Sequence, residues 1–215
     1  MVIDGGSTDG TLDVLHAHRN QIDVLVSEPD RGIYDALNKG ISRARGDIVG
    51  FLHADDVYAD REVLSDISSN FSNNRIDAVY GDLVYVDNLM PPRVIRYWKG
   101  GMYDPKKLAW GWMPPHPTFY VRRSVYQELG AFDTSFQIAA DYDCMLRLLG
   151  RGITVAYIPR VLVKMRWGGA SNRSLKNIIQ KSREDYRALR ANAIGGLGTL
   201  ICKNLSKAPQ FLLGR

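Results

Sequence analysis

The chain has 215 residues, 45% hydrophobic and 24% charged, which fits one globular domain able to bury a core without disulfides or a structural metal. Its two cysteines, Cys144 and Cys202, are too few and too scattered for a disulfide framework or a thiolate metal site, and read as reduced thiols of a cytosolic protein. The formal charge of +5 suits nucleic acid, an anionic membrane surface or phosphorylated small molecules alike; as it is the only feature favouring nucleic acid, that partner is not expected.

Met1-Val2-Ile3-Asp4 reaches a charge too early for a signal peptide, and no apolar run approaches the roughly 18 residues of a spanning helix. Val2-Ile3 reads as the end of a buried strand, followed by the turn-rich Asp4-Gly5-Gly6-Ser7-Thr8-Asp9-Gly10. Thr8 or Asp9 can cap a helix carrying Leu12, Val14 and Leu15. Asp23 to Val26 predicts a short strand, and Ile33, Ala36, Leu37 and Ile41 a helix closed near Gly46. Ile48-Val49-Gly50-Phe51-Leu52 has the continuous apolar character of a strand buried on both faces. A helix over about 62–71 and strands at Ala78-Val79-Tyr80 and Val84-Tyr85-Val86 follow. The stretch 91–117, rich in Pro, Gly, Trp and Tyr, predicts irregular structure. Beyond it come a strand at 118–121, a short helix at 124–129, a helix from Asp141 to Leu149, strands at 153–157 and 161–163, and basic C-terminal helices. Alternating strands and helices predict an α/β domain with a largely parallel sheet, whose ligands would sit beyond the strand ends.

Asp55-Asp56 ends the apolar run. Two adjacent carboxylates there repel and are costly to desolvate; either a hard divalent cation compensates them or they form a solvated turn. Asp4 lies in a Gly/Ser/Thr turn whose amides can line a phosphate or base pocket or simply make the turn. Asp141 opens a helix, as a cap or dipole partner or as a general base. Arg31, before a helix, suits a diphosphate or a solvated surface. His116, within Pro114-Pro115-His116-Pro117, is open to metal, phosphate or structural roles.

The order of these segments is more telling than any one of them. Val2-Ile3-Asp4-Gly5-Gly6-Ser7-Thr8-Asp9-Gly10-Thr11, Asp30-Arg31-Gly32, Asn38-Lys39-Gly40, Phe51-Leu52-His53-Ala54-Asp55-Asp56, His116-Pro117-Thr118-Phe119-Tyr120, Leu129-Gly130-Ala131-Phe132-Asp133 and Ala140-Asp141-Tyr142-Asp143-Cys144-Met145-Leu146-Arg147 together closely resemble the inverting family 2 glycosyltransferases of GT-A fold. The resemblance covers about residues 2–170. It implies a Rossmann-like sheet flanked by helices over 1–170 and a basic helical extension over 171–215. It further implies transfer of a sugar from a nucleotide-sugar donor to a hydroxyl acceptor, in bacterial cell-surface polysaccharide or lipid-linked glycan assembly. Asp4 would contact the base, Arg31 the nucleotide or its diphosphate, and His116 the donor. Asp55 would lie by the ribose and metal, Asp56 would ligate Mg²⁺ or Mn²⁺, and Asp141 would deprotonate the acceptor.

Four departures stand out. The family normally begins with a further strand and loop over the base, so the resemblance implies a missing central strand and weakened stability or donor binding. His53 and Ala140 stand where many members carry Asp and Glu, and the segment 165–171 lacks a late histidine ligand. A non-catalytic sugar-nucleotide-binding remnant and a metal-dependent nucleotidyltransferase are the competing readings. The tail, with Lys176, Lys181, Arg183, Arg187 and Arg190, then Leu197, Leu200, Ile201 and Leu205 with Lys203 and Lys207, Pro209 and Phe211-Leu212-Leu213, predicts either helices packed on the domain or a basic amphipathic segment on an anionic membrane. The expected location is the cytosolic side, with a possible peripheral attachment to the inner face of the membrane.

Overall fold

The computed structural model describes residues 1–90, 92–167 and 175–206; Pro91, the segment 168–174, and Lys207, Pro209 and Phe211-Leu212-Leu213 of the predicted tail lie outside them. The chain opens with β1 (Val2–Asp4), α1 (Thr11–Ala17), β2 (Leu25–Ser27) and α2 (Ile33–Arg43). β1 and β2 run parallel, Val2 opposite Leu25 and Asp4 opposite Ser27, as a crossover through a helix requires.

β3 (Ile48–Val49), β4 (Asp56–Tyr58), α3 (Val63–Phe71), β5 (Ala78–Val86) and β6 (Val94–Trp98) come next, then 3₁₀ turns at Pro105–Trp110 and His116–Thr118. β7 (Tyr120–Arg122), α4 (Arg123–Leu129), α5 (Ala140–Gly150), β8 (Val155–Arg166), α6 (Leu175–Ala191) and α7 (Leu197–Leu205) complete the order. The second sheet runs β3-β7-β5-β8-β4, with β6 also on β5. β5 is buried along almost its whole length and forms the spine. Its pairing with β8 is parallel, while β3–β7, β5–β7, β5–β6 and β4–β8 are antiparallel. The α/β class stands, but the expectation of a largely parallel sheet is corrected to a mixed one. Parallel neighbours need a covering crossover; β7 is reached instead through the irregular stretch with its two 3₁₀ turns, and arrives from the opposite end.

Two local expectations change for steric reasons. The apolar run 48–52 is not a strand buried on both faces: only Ile48–Val49 pairs, with β7, and Leu52 is exposed. A Cβ at Gly50 would fall 2.1 Å from the Tyr120 ring, so this ring fills the space beside Gly50 and the chain leaves the sheet there. The strands expected at 153–157 and 161–163 are one strand, β8, irregular opposite Gly81 and Asp82. A Cβ at Gly81 would lie 2.6 Å from Leu162 Cγ; only glycine permits that approach.

The core has two parts. One surrounds α5, where Tyr142, Leu146, Leu148 and Leu149 are buried with Tyr80 and Val121; the other joins α3 to the sheet through Val63, Ile67, Val79, Leu83, Leu162 and Val163. A helix apolar nearly all round belongs at the centre. α6 lies on α5, with Asn192 Nδ2 donating to Asp143 Oδ1 at 2.9 Å. α7 is tied to α6 by Lys203 Nζ, 2.7 Å from Asp185 Oδ1, both side chains 3% exposed, and Lys203 stands 3.1 Å over the Tyr142 ring.

Candidate functional site

The turn Ala54-Asp55 delivers Asp56 to the first position of β4, opposite Met165 of β8, with Asp56 N–H donating to His53 O at 2.9 Å. Asp55 is exposed and Asp56 buried. Among the described residues neither oxygen of the Asp56 carboxylate has a hydrogen-bond partner. Burial first, and the neighbouring Asp55 charge second, push its carboxyl up to about 6.

Asp141 lies in the first turn of α5, where the helix dipole favours an anion. His116 Nδ1 sits 3.4 Å from Asp141 Oδ2. The Tyr34 hydroxyl, on α2, is 3.2 Å from Asp141 Oδ1 and 2.7 Å from Ile138 O. Burial pushes the Asp141 carboxyl up, but His116, Lys181, Lys203 and the Tyr142 N–H outweigh it and leave it below its ordinary value. Burial lowers His116 despite Asp141, and burial together with His116 brings His53 down to about 4. The two rings, 6.0 Å apart, are therefore neutral at pH 7, where a neutral imidazole orients a carboxylate without adding a second full charge.

These groups face one cavity of about 460 Å³, lined by His53, Asp55, Asp56, His116 and Asp141 and, on its apolar side, by Leu37, Phe51 and Phe132. Of the residues singled out from sequence, Asp55, Asp56, His116 and Asp141 meet there. Asp4 and Arg31 do not line it. The Asp4 carboxylate accepts from Gly6 N, Ser7 N, Ser7 Oγ and Ser27 Oγ at 3.0, 3.0, 2.5 and 2.7 Å. The Ser7 and Ser27 hydroxyls foremost bring its pKa down to about 2, and hold the turn closed over β1 and β2. Arg31 is 83% exposed and lies 3.6 Å from Asp35.

Three features were not read from the sequence. Tyr34 reaches Asp141 from a helix whose signal was only its apolar spacing. Gln137 and Ile138 of the strap Gln137-Ile138-Ala139 border the cavity, and Glu184 of α6 accepts from all three of its N–H groups. A glutamate in a charged helix gives no local sign of this. His53 was noted only as a departure from a pattern, although it lines the cavity.

A family model described as glycosyl transferase family 2 matches residues 1–136. The PGL/p-HBAD biosynthesis glycosyltransferase of Mycobacterium bovis (strain BCG / Pasteur 1173P2) is 28% identical over 177 residues, 80% of this chain and 67% of that protein. S. aureus TarS 1–349 in complex with UDP-GlcNAc matches with a TM-score of 0.66 at 15% identity, covering 90% of this chain and 56% of that one. The mannosyltransferase PcManGT from Pyrobaculum calidifontis, in complex with GDP-Man and Mn²⁺, gives 0.60 at 18% identity, covering 99% and 63%. This chain thus spans about two thirds or less of the proteins it matches. At such identities the solved structures report the fold alone, the α/β GT-A fold with a helical C-terminal region.

Proposed function

Because the chain belongs to glycosyl transferase family 2, we propose that its cavity transfers a sugar from a nucleotide-sugar donor to a hydroxyl acceptor with inversion at the anomeric carbon. The observation that carries this reading is that Asp141 lines the same cavity as Asp55 and Asp56. One carboxylate is then available to the nucleophile and a separate pair to the leaving group.

Asp141 takes the acceptor proton. It is ionised at neutral pH, being held below its ordinary value by its neighbours, and Tyr34 and His116 fix its two oxygens from opposite sides. A single carboxylate acting as base, with no enzyme-bound sugar, leads to inversion. The fit for a divalent cation rests on Asp56, whose two buried oxygens have no hydrogen-bond partner among the described residues; an anion in that condition is completed by a hard cation. Asp56 with Asp55 would hold Mg²⁺ or Mn²⁺, which would supply charge neutralisation to the departing diphosphate. Among the described residues no group of three His, Cys, Asp or Glu is arranged around a metal, so the remaining ligands would come from the donor's phosphates and water, the usual habit of Mg²⁺. Arg31, exposed two residues before Ile33 of the cavity wall, would meet the nucleotide. Asp4 would serve the base through the turn it holds.

The acceptor would be a saccharide or lipid-linked saccharide of a bacterial cell-surface glycan, as the resemblance to the family implies. No helix among the described residues is long and apolar enough to cross a membrane. The outer face of α7 carries exposed Leu197, Ile201 and Leu205 and would rest on an anionic membrane surface.

The test is release of nucleoside diphosphate from a panel of UDP-, GDP- and dTDP-sugars with Mn²⁺, for the native chain and Asp141→Asn. Loss of release in the variant, by about 10²–10⁴-fold, supports the reading. Release of pyrophosphate would instead make the chain a nucleotidyltransferase, and equal rates in both proteins would dismiss Asp141 as the base.

A further inference from the structure

α5 begins without a side-chain cap: its N-cap residue is Ala139, which has no group to accept a hydrogen bond. The first N–H groups of a helix and of the strap leading into it need acceptors when they are withdrawn from water. Here the acceptor comes from another helix. The Glu184 carboxylate of α6 lies 3.1 Å from Gln137 N, 2.8 Å from Ile138 N and 2.9 Å from Ala139 N. Glu184 is buried, and Gln180, one turn earlier, donates to its Oε1 at 3.1 Å and to Gln137 Oε1 at 2.6 Å. Burial pushes the Glu184 carboxyl up, but the N–H groups of Ile138, Ala139 and Gln137 and the Gln180 amide bring it below its ordinary value, so it is an anion at neutral pH. On the opposite side of the strap the Tyr34 hydroxyl approaches Ile138 O. The strap is therefore gripped through its N–H groups by Glu184 of α6 and through the Ile138 carbonyl by the Tyr34 hydroxyl of α2, two residues before Asp141.

We propose that Glu184 is a positioning residue for the transfer reaction, a cap supplied from α6 that sets where Asp141 presents its oxygens in the cavity. This rests on the reading of Asp141 as the base. Three convergent bonds fix the strap's height against α6, and α5 starts from that height. Lys181, one turn before Glu184 on α6, also acts on Asp141 through its charge. The basic C-terminal helix thereby belongs to the site's machinery. A base displaced by about an ångström forfeits on the order of 10²-fold in rate, so the clamp acts on turnover far more than on donor affinity.

The experiment compares the full chain with Glu184→Gln and Glu184→Asp. It reads kcat and donor KM for nucleoside diphosphate release, the pH profile of kcat, and backbone amide hydrogen exchange at 137–139. The glutamine loses the negative charge on which the three N–H groups converge and, with its oxygen in that place, turns an amide donor toward Gln137 N and the Gln180 amide. Its kcat is expected to fall on the order of ten- to hundred-fold with donor KM little changed. The acidic limb of its profile moves to higher pH, because a loosened first turn weakens the contacts that hold Asp141 down. Amides 137–139 exchange faster while those of β5 keep their protection, and Glu184→Asp, which keeps the charge on a shorter stem, recovers part of the rate. Unchanged exchange at 137–139 would mean that Glu184 does not hold the strap. Faster exchange with an unaltered kcat and pH profile would mean that the strap does not position the base, and lost protection in β5 as well would make Glu184 a residue of the fold. All three overturn the proposal. Equal rates for Asp141→Asn and the native chain overturn instead the reading beneath it, and leave the exchange result standing.

Discussion

Tyr34 and Asp141 are 107 positions apart, yet the hydroxyl of one lies 3.2 Å from Oδ1 of the other. The contact joins α2 to the first turn of α5 in the cavity wall, with His116 on the remaining oxygen of the same carboxylate. Burial holds the Tyr34 phenol well above its ordinary value, and the Asp141 charge adds to this, so Tyr34 stays a hydrogen-bond donor throughout the working range. The one phenolic proton is shared with the nearer Ile138 O, at 2.7 Å, so its bond to the carboxylate falls short of the roughly 1.5–3 kcal/mol of an undivided hydrogen bond to a charged group.

Tyr34→Phe keeps the ring against Phe132, its stacking partner at 5.8 Å, and removes only the hydroxyl. The expected result is a kcat about tenfold lower with donor affinity retained, as read from nucleoside diphosphate release and calorimetry. Native turnover in this variant would remove Tyr34 from the set that orients Asp141.

Asp56 is poised against the stability of the fold. Its folded-state pKa of about 6 exceeds the ordinary 3.8, so the unfolded chain releases this proton first. The folded form is then increasingly penalised as pH rises from about 4 to 6, and the penalty is constant above. Asp56→Asn should accordingly raise stability at pH 7.5 by about 1–3 kcal/mol and change little near pH 4. The same variant should lose any rise in melting temperature that Mn²⁺ gives the native chain, a rise that should itself fade below about pH 6 as the carboxyl takes up its proton. Thermal melts at both pH values, with and without Mn²⁺, decide this; a variant less stable at pH 7.5 would contradict it.

The buried pair Lys203–Asp185 fixes α7 to α6 and α5. Removing one partner strands the other charge in the interior, at a cost of about 3–5 kcal/mol, whereas replacing both by apolar groups of similar size is close to neutral. Lys203→Met should therefore unfold at markedly lower urea than the native chain, and Lys203→Met with Asp185→Leu should recover most of the difference. Equal midpoints for the single and double variants would show that the pair is not coupled.

The same pair directs α7's apolar stripe outward, since Thr199 and Lys203 are buried while Leu197, Ile201 and Leu205 are exposed. Replacing these three by Ser should abolish co-flotation of the chain with vesicles containing anionic phosphatidylglycerol and leave the melting temperature nearly unchanged, because the removed side chains contact little of the domain. Flotation equal to the native chain's would end the membrane reading.

The sequence by itself carried what is local or ordered along the chain. Ile33, Leu37 and Ile41 announced α2, the apolar sides of 141–149 announced α5, and the succession from Asp4 through Asp55-Asp56 to Asp141 identified the family. Periodicity and short motifs survive in one dimension because each depends on neighbours within a turn or two. The tertiary structure alone decided what each carboxylate is used for. Asp4 closes its own turn upon Ser7 and Ser27, Asp56 is left with two bare oxygens, and Glu184 caps a helix some 45 residues away in sequence. Those outcomes turn on which side chain fills a gap between distant segments. Tyr120 beside Gly50, Leu162 on Gly81 and Lys203 of α7 over Tyr142 set such gaps through packing, and close packing is a property of the folded interior that no stretch of residues holds alone.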